Sequence, residues 1–276
     1  MLRKRFKLVL SGSGTKYPVF VGALKRLCEH IEQLRKQGID AGIDEVCGTS
    51  GGAVIAAGLA THYNEKDLKV TMKALEELVL NTLPGPLLDL NFFPFGLNGA
   101  FKGNKILKKF REVLPDVFTK TKIPVRIVTF NNNLGEHKIW ETSDKVELPL
   151  VVRASMSLPF IFDPVFIRGD VHTDGGVTAN FPLDIYGVGD DVIGFRIGSG
   201  KLERRKIENK IDIITSHVNG MIECSTREHV EDAIHAKVCY LKTSHGGLDL
   251  NMDREDVKQQ MVDGYKTFDS WLTRGN

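Results

Sequence analysis

Residues 45–53 are Glu45-Val46-Cys47-Gly48-Thr49-Ser50-Gly51-Gly52-Ala53, with a serine at the centre of a Gly-x-Ser-x-Gly pattern. A serine in this pattern lies on a sharp turn from a strand to a helix, which holds its hydroxyl out at the edge of a sheet. The flanking glycines suit such a turn, because a Cβ there would collide with the packed backbone. The apolar run 43–47 predicts the strand, and the run 53–60 predicts the helix. The pattern favours a nucleophilic Ser50 in an α/β protein, while a Gly/Ser turn of another kind stays open.

The composition is that of an ordinary globular protein. The chain has 276 residues, of which 42% are hydrophobic and 26% charged, and its formal net charge is +2. A net charge this small gives no reason to expect a nucleic-acid partner. The four cysteines have no CxxC spacing, so they predict neither a zinc site nor a redox pair. They suit a reducing compartment, although their even number leaves disulfides open. We expect no metal and no other cofactor.

The N-terminus imitates the start of a signal peptide, since basic residues precede an apolar run within residues 1–10. That run is too short, and Lys7 and then Gly12 interrupt it, so it is interpreted as the first β-strand. No apolar run approaches the roughly eighteen residues of a membrane span. We therefore expect a cytoplasmic protein without a signal peptide or a transmembrane segment, with peripheral membrane contact as an option.

Strands and helices alternate along the chain. The helix predicted over 19–37 has apolar side chains three or four residues apart. Further strands are predicted over 6–11, 125–130, 138–141, 165–167, 191–197 and 236–241. Further helices are predicted over 64–79, 106–114 and about 257–271. The alternation predicts an α/β fold with a largely parallel central sheet flanked by helices. We expect a single domain, 1–276, with its motifs in a core over 6–200 and a mostly helical part over 201–276.

A serine hydroxyl is a weak nucleophile until a neighbouring group accepts its proton. Asp174, in the stretch His172-Thr173-Asp174-Gly175-Gly176, is the strongest candidate for that base. The two glycines after the carboxylate allow the backbone to approach closely at a tight turn. On this fragment alone, an ordinary Asp-Gly turn is the simpler interpretation.

The loop Ser11-Gly12-Ser13-Gly14-Thr15-Lys16 leaves the first predicted strand and leads into the first helix. Its backbone N–H groups can bind an anion. In acyl transfer that anion is the tetrahedral oxyanion, for which one donor lowers the barrier by about 3 kcal/mol. A nucleotide-phosphate loop is the alternative, but both nucleotide patterns fail. Thr15 separates the glycine from the lysine of a Walker pattern, and Tyr17 stands in place of the third Rossmann glycine.

Four blocks of sequence occur in a fixed order over about residues 6–200. They are Gly12-Ser13-Gly14-Thr15-Lys16, Gly48-Thr49-Ser50-Gly51-Gly52, Ala154-Ser155-Met156-Ser157-Leu158-Pro159 leading to Pro164-Val165, and Asp174-Gly175-Gly176 followed by Asn180-Phe181-Pro182. In this order they resemble the patatin-like phospholipase family. The resemblance implies a three-layer α/β/α fold. It also implies a serine lipid acyl hydrolase, a phospholipase A or lysophospholipase, that takes a phospholipid or lysophospholipid substrate.

The resemblance further implies a catalytic dyad of Ser50 and Asp174 in place of a triad. Ser50 would form the acyl-enzyme, and Asp174 would accept its proton and later activate water. The oxyanion hole would be formed by the backbone amides of Gly12, Ser13, Gly14 and Gly51. The residues expected to support the turns are Gly48, Gly52, Gly175 and Gly176. Lys16 would stabilise the loop or contact the lipid head group.

Two positions of the glycine loop depart from the family's pattern. Ser13 replaces the middle glycine, and Tyr17, followed by Pro18, replaces the glycine expected after the basic residue. A side chain at position 13 is tolerated where φ stays negative. The departures leave a second function open, a catalytically weak or partner-activated lipid-binding or regulatory protein on a patatin scaffold. An activator or a second copy of the chain would then be a partner.

A Ser-His-Asp triad of the α/β-hydrolase type is a third possibility. In that fold the histidine follows the acid. The candidates after Asp174 are His217, His229, His235 and His245. None of them lies in the Gly-rich context of a catalytic loop. His172, two residues before Asp174, would share its face if this stretch were a strand, where it would either tune the acid or, as we prefer, simply pack as a strand histidine.

The segment 83–97 combines prolines, which interrupt a regular helix, with a series of leucine and phenylalanine side chains. It would form a lid or a surface that contacts a membrane, or it would cap the core, and the sequence does not separate these two interpretations. The basic run 201–210 is interpreted as a solvated helix face in preference to a site for lipid head groups.

Overall fold

The computed structural model describes residues 3–82, 84–92, 96–187, 189, 191–198, 207, 216, 220, 222–227, 229–231, 233, 236–243, 249 and 251–275. The strands within them are β1 (Arg3–Leu10), β2 (Asp40–Thr49), β3 (Val125–Asn131), β4 (Glu136–Trp140), β5 (Val165–Ile167), β6 (Asp170–Asp174), β7 (Val192–Ile197) and β8 (Lys237–Leu241). The helices are α1 (Pro18–Lys36), α2 (Gly51–His62), α3 (Leu68–Asn81), α4 (Pro84–Leu87), α5 (Asn104–Val113), α6 (Leu148–Ser155), α7 (Gly176–Ala179) and α8 (Arg254–Thr273).

These strands form one mixed sheet. Its order is β5-β6-β3-β2-β1-β7-β8, and β4 also pairs with β3. Five neighbouring strands are parallel to one another, in the spatial order β3, β2, β1, β7 and β8. The pairs β3–β4, β3–β6 and β5–β6 are antiparallel. The largely parallel sheet is as predicted, with an antiparallel extension at one edge.

Helices and loops cover both faces of the sheet. Because side chains alternate along a strand, Leu8 and Leu10 of β1 face one side and Val9 faces the other. Leu8 and Leu10 belong to a large apolar core, which also includes side chains from α1, α2, α3, α5, α6 and α8. On the second side Val9 belongs to a smaller core with Ala179, Phe181, Leu183 and Ala233. The fold is therefore α/β with helices flanking a central sheet, as the sequence predicts.

The C-terminal helix α8 packs closely on α1. A Cβ at Gly22 of α1 would collide with the carbonyl oxygen of Met261, and a Cβ at Gly264 of α8 would collide with that of Val19. Phe268 of α8 is fully buried in the large core. The two glycines therefore let the helices approach until their backbones touch.

Several boundaries differ from the prediction for local reasons. The helix predicted from residue 64 begins at Leu68, because Asp67 caps it by accepting a hydrogen bond from the Lys69 N–H at 3.0 Å. The strand predicted over 43–47 is longer in the structure, where β2 covers 40–49. A one-turn helix, α4, starts at Pro84, because proline is tolerated in the first turn of a helix. The sequence predicts neither α6 nor β6. Residue 83, residues 93–95 and, apart from residue 207, the basic run 201–210 lie outside the described residues.

No helix in the described part of the chain combines the length and the apolar character that crossing a membrane requires.

Candidate active site

Ser50 lies on the sharp turn between β2 and α2. Its backbone has φ 53° and ψ −125°, a conformation that a residue with a Cβ rarely adopts. The strand end is anchored by Thr49, whose hydroxyl donates to the carbonyl oxygen of Ala179 at 3.0 Å. Strain of this kind persists only where the surrounding contacts fix the backbone. The turn also places Ser50 at the start of α2, where the first N–H groups have no partner within the helix.

The Ser50 hydroxyl donates a hydrogen bond to Asp174 Oδ2 at 2.6 Å. β2 pairs with residues 125–128 of β3, and β6 pairs with residues 129–131 of the same strand, so the carboxyl ends of β2 and β6 meet beside β3. The other carboxylate oxygen, Asp174 Oδ1, accepts a hydrogen bond from the Gly176 N–H at 2.7 Å. The sheet therefore brings together the two residues that the sequence predicts as nucleophile and base.

The Asp174 carboxyl group is buried, with 4% of the residue exposed. Burial raises the pKa of Asp174 to about 6, although the hydrogen bonds from Ser50 and the Gly176 amide lower it in part. A carboxylate with a pKa near 6 is ionised at neutral pH and is still basic enough to accept a proton in a transition state. This arrangement can activate a serine hydroxyl.

The glycine loop between β1 and α1 lies directly on the serine turn. A Cβ built on Gly12 would lie 3.4 Å from the Cβ of Ser50. A side chain at Gly51 would collide with Ser13 Oγ and with the carbonyl oxygen of Gly14. The residues predicted for the oxyanion hole therefore lie beside the serine turn. The prediction is wrong for the Gly12 amide, because its N–H donates to the carbonyl oxygen of Asn180 at 2.9 Å.

Both departures in this loop have a structural explanation. Ser13 has φ −144°, so its side chain is accommodated without backbone strain. Gly14 has φ +57°, which glycine adopts readily. Tyr17 is buried, and its hydroxyl donates to the carbonyl oxygen of Thr82 at 2.8 Å, while Pro18 begins α1. Tyr17 and Pro18 therefore fix the end of the loop.

A sequence model of the family described as patatin-like phospholipase matches residues 8–186, which is more than half of the chain. The chain belongs to the patatin-like phospholipase family. The matched range contains the glycine loop, Ser50 and Asp174.

Two viral proteins are among the relatives of this patatin-like chain. It is 30% identical over 207 residues to an uncharacterized protein of Acanthamoeba polyphaga mimivirus, over 69% of this chain and 63% of that protein. It is 25% identical over 188 residues to a probable lipid hydrolase of Invertebrate iridescent virus 6, over 64% of this chain and 62% of that protein. The chain thus spans less than two thirds of the length of each.

The crystal structure of VipD from Legionella pneumophila has the same fold. It is 16% identical and superposes with a TM-score of 0.54, over 98% of this chain and 67% of that chain.

The remaining residues carried over from the family lie where backbone segments meet. Gly48 lies against the backbone of Gly52, and Gly175 lies against the carbonyl oxygen of Val128 and precedes α7. Lys16 ends a 3-10 helix over Gly14–Lys16 and is half-buried. The turns of the patatin-like site are therefore closely packed on one another.

Sequence reasoning missed the role of Ser155, the last residue of α6. Its hydroxyl accepts a hydrogen bond from the Ser50 N–H at 2.8 Å and donates to the carbonyl oxygen of Val128 at 2.6 Å. Ser155 is fully buried. It therefore ties the backbone of the strained serine turn to β3. The only sequence signal was its position in the third family block, which carries no chemistry by itself.

The described histidines do not form a triad with Ser50 and Asp174. His172 Nδ1 lies 3.0 Å from Thr129 Oγ1, and its ring packs on that of Trp140. Burial lowers the pKa of His172. His229 Nδ1 lies 2.6 Å from Asp184 Oδ1. Three candidates lie outside the described residues: His217, His235 and His245.

The part of the chain that the structure describes holds no cluster of three or more His, Cys, Asp or Glu side chains placed to bind a metal ion.

Proposed function

We propose that this protein hydrolyses acyl esters of phospholipids or lysophospholipids through an acyl-enzyme on Ser50. The observation that carries the proposal is the 2.6 Å hydrogen bond from Ser50 Oγ to Asp174 Oδ2 on a strained turn. Membership of the patatin-like phospholipase family and a relative named as a probable lipid hydrolase support the choice of a lipid ester.

In the first half of the reaction Ser50 Oγ attacks the ester carbonyl carbon, and its proton passes to Asp174 Oδ2. The carbonyl oxygen becomes an oxyanion, and we assign its stabilisation to the backbone amides of Ser13, Gly14 and Gly51. The carbon–oxygen bond to the leaving alcohol then breaks, and Asp174 returns the proton to that oxygen. The products of this half are the freed alcohol, such as a lysophospholipid, and the acyl-enzyme.

In the second half a water molecule transfers a proton to Asp174 and attacks the acyl carbon. The same oxyanion site stabilises the second tetrahedral intermediate. When the bond to Ser50 Oγ breaks, Asp174 returns the proton to the serine, and the fatty acid leaves. One carboxylate therefore serves both halves, first for the hydroxyl and then for water.

The test is covalent labelling with a fluorophosphonate, run beside fatty-acid release from mixed phospholipid vesicles. We expect wild type to be labelled and to release fatty acid, and Ser50→Ala to do neither while keeping its melting temperature. Fatty-acid release by a well-folded Ser50→Ala variant at the wild-type rate would exclude Ser50 as the nucleophile. His229→Ala is the matched control, because His229 contacts Asp184, and it should remain fully active.

The pH dependence of the reaction follows from Asp174. Only its ionised form accepts the serine proton, and burial raises its pKa to about 6. We therefore expect kcat/KM for a soluble ester to fall about tenfold per pH unit below pH 6 and to be level from about pH 7 to 8. A profile that is flat down to pH 4.5 would contradict the assignment of Asp174 as the base.

A second candidate is activity that requires a partner or an interface. Ser50 is only 9% exposed, and neither of two surface grooves, of about 400 and 350 Å³, has Ser50 in its lining. This function predicts that folded wild type is unlabelled in buffer and becomes labelled when vesicles or an activating protein are added.

The predicted membrane contact through 83–97 remains a proposal. Leu87 packs against the large core, whereas Phe92 and Leu97 are exposed to solvent, so the segment covers the core at its start and presents apolar side chains further along.

A further inference from the structure

We propose that an apolar platform next to the strand of Asp174 docks this protein on an anionic phospholipid surface, an inference that rests on the proposed function. The platform is defined by four exposed side chains: Leu90, Phe92, Leu97 and Phe160. They lie on three segments, 88–92, 96–103 and 158–164. The last of these follows Ser157, whose carbonyl oxygen accepts a hydrogen bond from the Asp174 N–H at 3.0 Å.

Exposed apolar side chains are concentrated on this side of the molecule. Phe92 is 83% exposed and Phe160 is 80% exposed. Two further exposed side chains lie near the platform. Phe166 pairs in β5–β6 with Val171, which lines the adjoining groove, and Leu134 is in the β3–β4 turn, whose residues 132 and 133 also line it. Large exposed apolar patches mark interaction sites, whereas single ones need no explanation.

Backbone hydrogen bonds hold the three segments together. Leu90 pairs with Phe101, and Phe101 pairs with Phe162, so their side chains lie on one face. The Ala100 N–H donates to the carbonyl oxygen of Phe160 at 3.0 Å. The exposed side chains therefore project from a paired three-segment structure.

The acidic side chains of these segments bind backbone amides within the platform. Asp89 Oδ1 accepts from the Gly103 N–H at 2.6 Å. Asp163 Oδ1 accepts from the Gly99 N–H at 2.7 Å. Both carboxylates are therefore stabilised by backbone N–H groups of the platform segments.

A buried guanidinium connects the platform to α6. Arg153, 3% exposed, donates from Nε to the carbonyl oxygen of Gly103 at 3.0 Å. From Nη2 it donates to those of Lys102 and Asp163 at 2.9 and 3.1 Å. It also donates to Ser157 Oγ. Arg153 of α6 therefore holds the platform segments on this helix. Because α6 ends at Ser155, which binds the Ser50 N–H, the position of the platform relative to the serine turn is fixed.

Phe160 has an unusual backbone for an exposed aromatic residue. Its φ is +70°, a conformation that costs a residue with a Cβ of order 1 kcal/mol. A glycine would fit this backbone without strain. The chain instead keeps a large apolar side chain there and directs it to solvent, which indicates a contact that a glycine could not make.

The charges at the platform select an anionic surface. Lys102 and Lys105 are exposed, and Lys105 Nζ lies 3.5 Å from the carbonyl oxygen of Leu88, at the start of the platform. Cationic side chains beside an apolar surface bind anionic head groups while the apolar groups enter the lipid. The groove of about 350 Å³ lined by Leu97, Phe160 and Phe162 extends this apolar area.

The experiment measures sedimentation with vesicles by the full chain carrying Ser50→Ala, so that no lipid is consumed. The vesicles are phosphatidylcholine with or without phosphatidylglycerol. We expect Phe92→Ser and Phe160→Gly each to weaken binding by about tenfold. Replacing Lys102 and Lys105 by serine should weaken binding to the anionic vesicles by about fivefold per lysine and leave binding to pure phosphatidylcholine unchanged.

Two controls keep these results interpretable. Val70→Ser removes an exposed apolar side chain from α3 and should not change vesicle binding. Phe160→Gly should melt no lower than its parent, because glycine relieves the positive φ. Vesicle binding equal to the parent in both the Phe92 and the Phe160 variants would overturn the proposal. So would a dimer in sedimentation equilibrium that both variants disrupt without any vesicle binding by the parent, since a second copy would then occupy the platform.

Hydrolysis of a short-chain soluble ester by wild type separates this inference from the proposed function. If wild type fails to cleave that ester while Ser50→Ala still binds vesicles through the platform, the docking surface stands and the catalytic assignment fails. If wild type cleaves the ester and the platform variants bind as the parent does, only the docking inference fails.

Discussion

The Asp174→Asn variant is expected to lose about a thousandfold or more of the wild-type turnover and to unfold at a higher temperature than wild type at pH 8. The loss follows because an amide cannot accept the proton of Ser50 or of water, and a positioned general base contributes up to about ten-thousandfold. Asparagine keeps the shape of the side chain. Its oxygen can accept from the Gly176 N–H, and its amide can donate to Ser50 Oγ.

The gain in stability follows from the pKa of Asp174. An aspartate in an unfolded chain titrates near 3.9, whereas burial raises the pKa of Asp174 to about 6 in the folded protein. Between these values the folded state binds more protons than the unfolded state. The stability of wild type therefore falls as the pH rises from about 4 through 6 and stays lower above pH 6. A difference of about two pKa units corresponds to about 3 kcal/mol.

Thermal unfolding of wild type and Asp174→Asn at pH 4 and pH 8 tests this directly. The variant should melt higher at pH 8, and the two proteins should melt at similar temperatures at pH 4, where the wild-type carboxyl group is protonated. Asp184→Asn is the control, since Asp184 is hydrogen-bonded to His229, and it should keep its activity. A lower melting temperature of Asp174→Asn than of wild type at pH 8 would contradict the expectation that the buried charge destabilises the folded protein.

The residues of the candidate site are visible in the sequence because close packing limits their composition. Gly12 of the glycine loop lies against Ser50, and a side chain at Gly51 of the serine turn would collide with Ser13 and Gly14 of that loop. Such contacts leave glycines at fixed spacings around Ser50, and spacing is visible in a sequence. The glycines after Asp174, which let its carboxylate accept a backbone hydrogen bond, mark it as a candidate, but only the resemblance to the family favours it over an ordinary Asp-Gly turn.

The parts that could not be predicted depend on contacts between distant segments. α6 has only eight residues and contains Pro149, so it lacks the periodicity that reveals a longer helix. β6 is a five-residue strand that ends in Asp174. Phe160 belongs to the platform only because residues 160–161 pair with 100–101. The segment 83–97 was recognisable as apolar, but its partner segment could not be identified from composition.

The Ser155→Ala variant is expected to lower both stability and the rate of acylation. It leaves the Ser50 N–H and the Val128 carbonyl oxygen buried without their present partner, and each such group costs about 1–3 kcal/mol. Freed from Ser155, the strained serine turn would shift, and a displacement of about 1 Å at a nucleophile can reduce the rate a hundredfold. We expect kcat and the fluorophosphonate labelling rate to fall between tenfold and a hundredfold, and Ser155→Thr, which keeps the hydroxyl, to recover part of both.

Thr71→Ala separates positioning from general destabilisation. Thr71 is a fully buried residue of α3 whose hydroxyl accepts a hydrogen bond from the Asn64 N–H at 2.8 Å. The loss is of the same chemical kind as at Ser155 but is remote in the fold, so Thr71→Ala should lower the melting temperature without changing the labelling rate. If Ser155→Ala destabilises the protein but is labelled as fast as wild type, Ser155 supports the fold alone. If its labelling rate falls and that of Thr71→Ala does not, Ser155 positions the nucleophile by holding the backbone of Ser50 in its strained conformation.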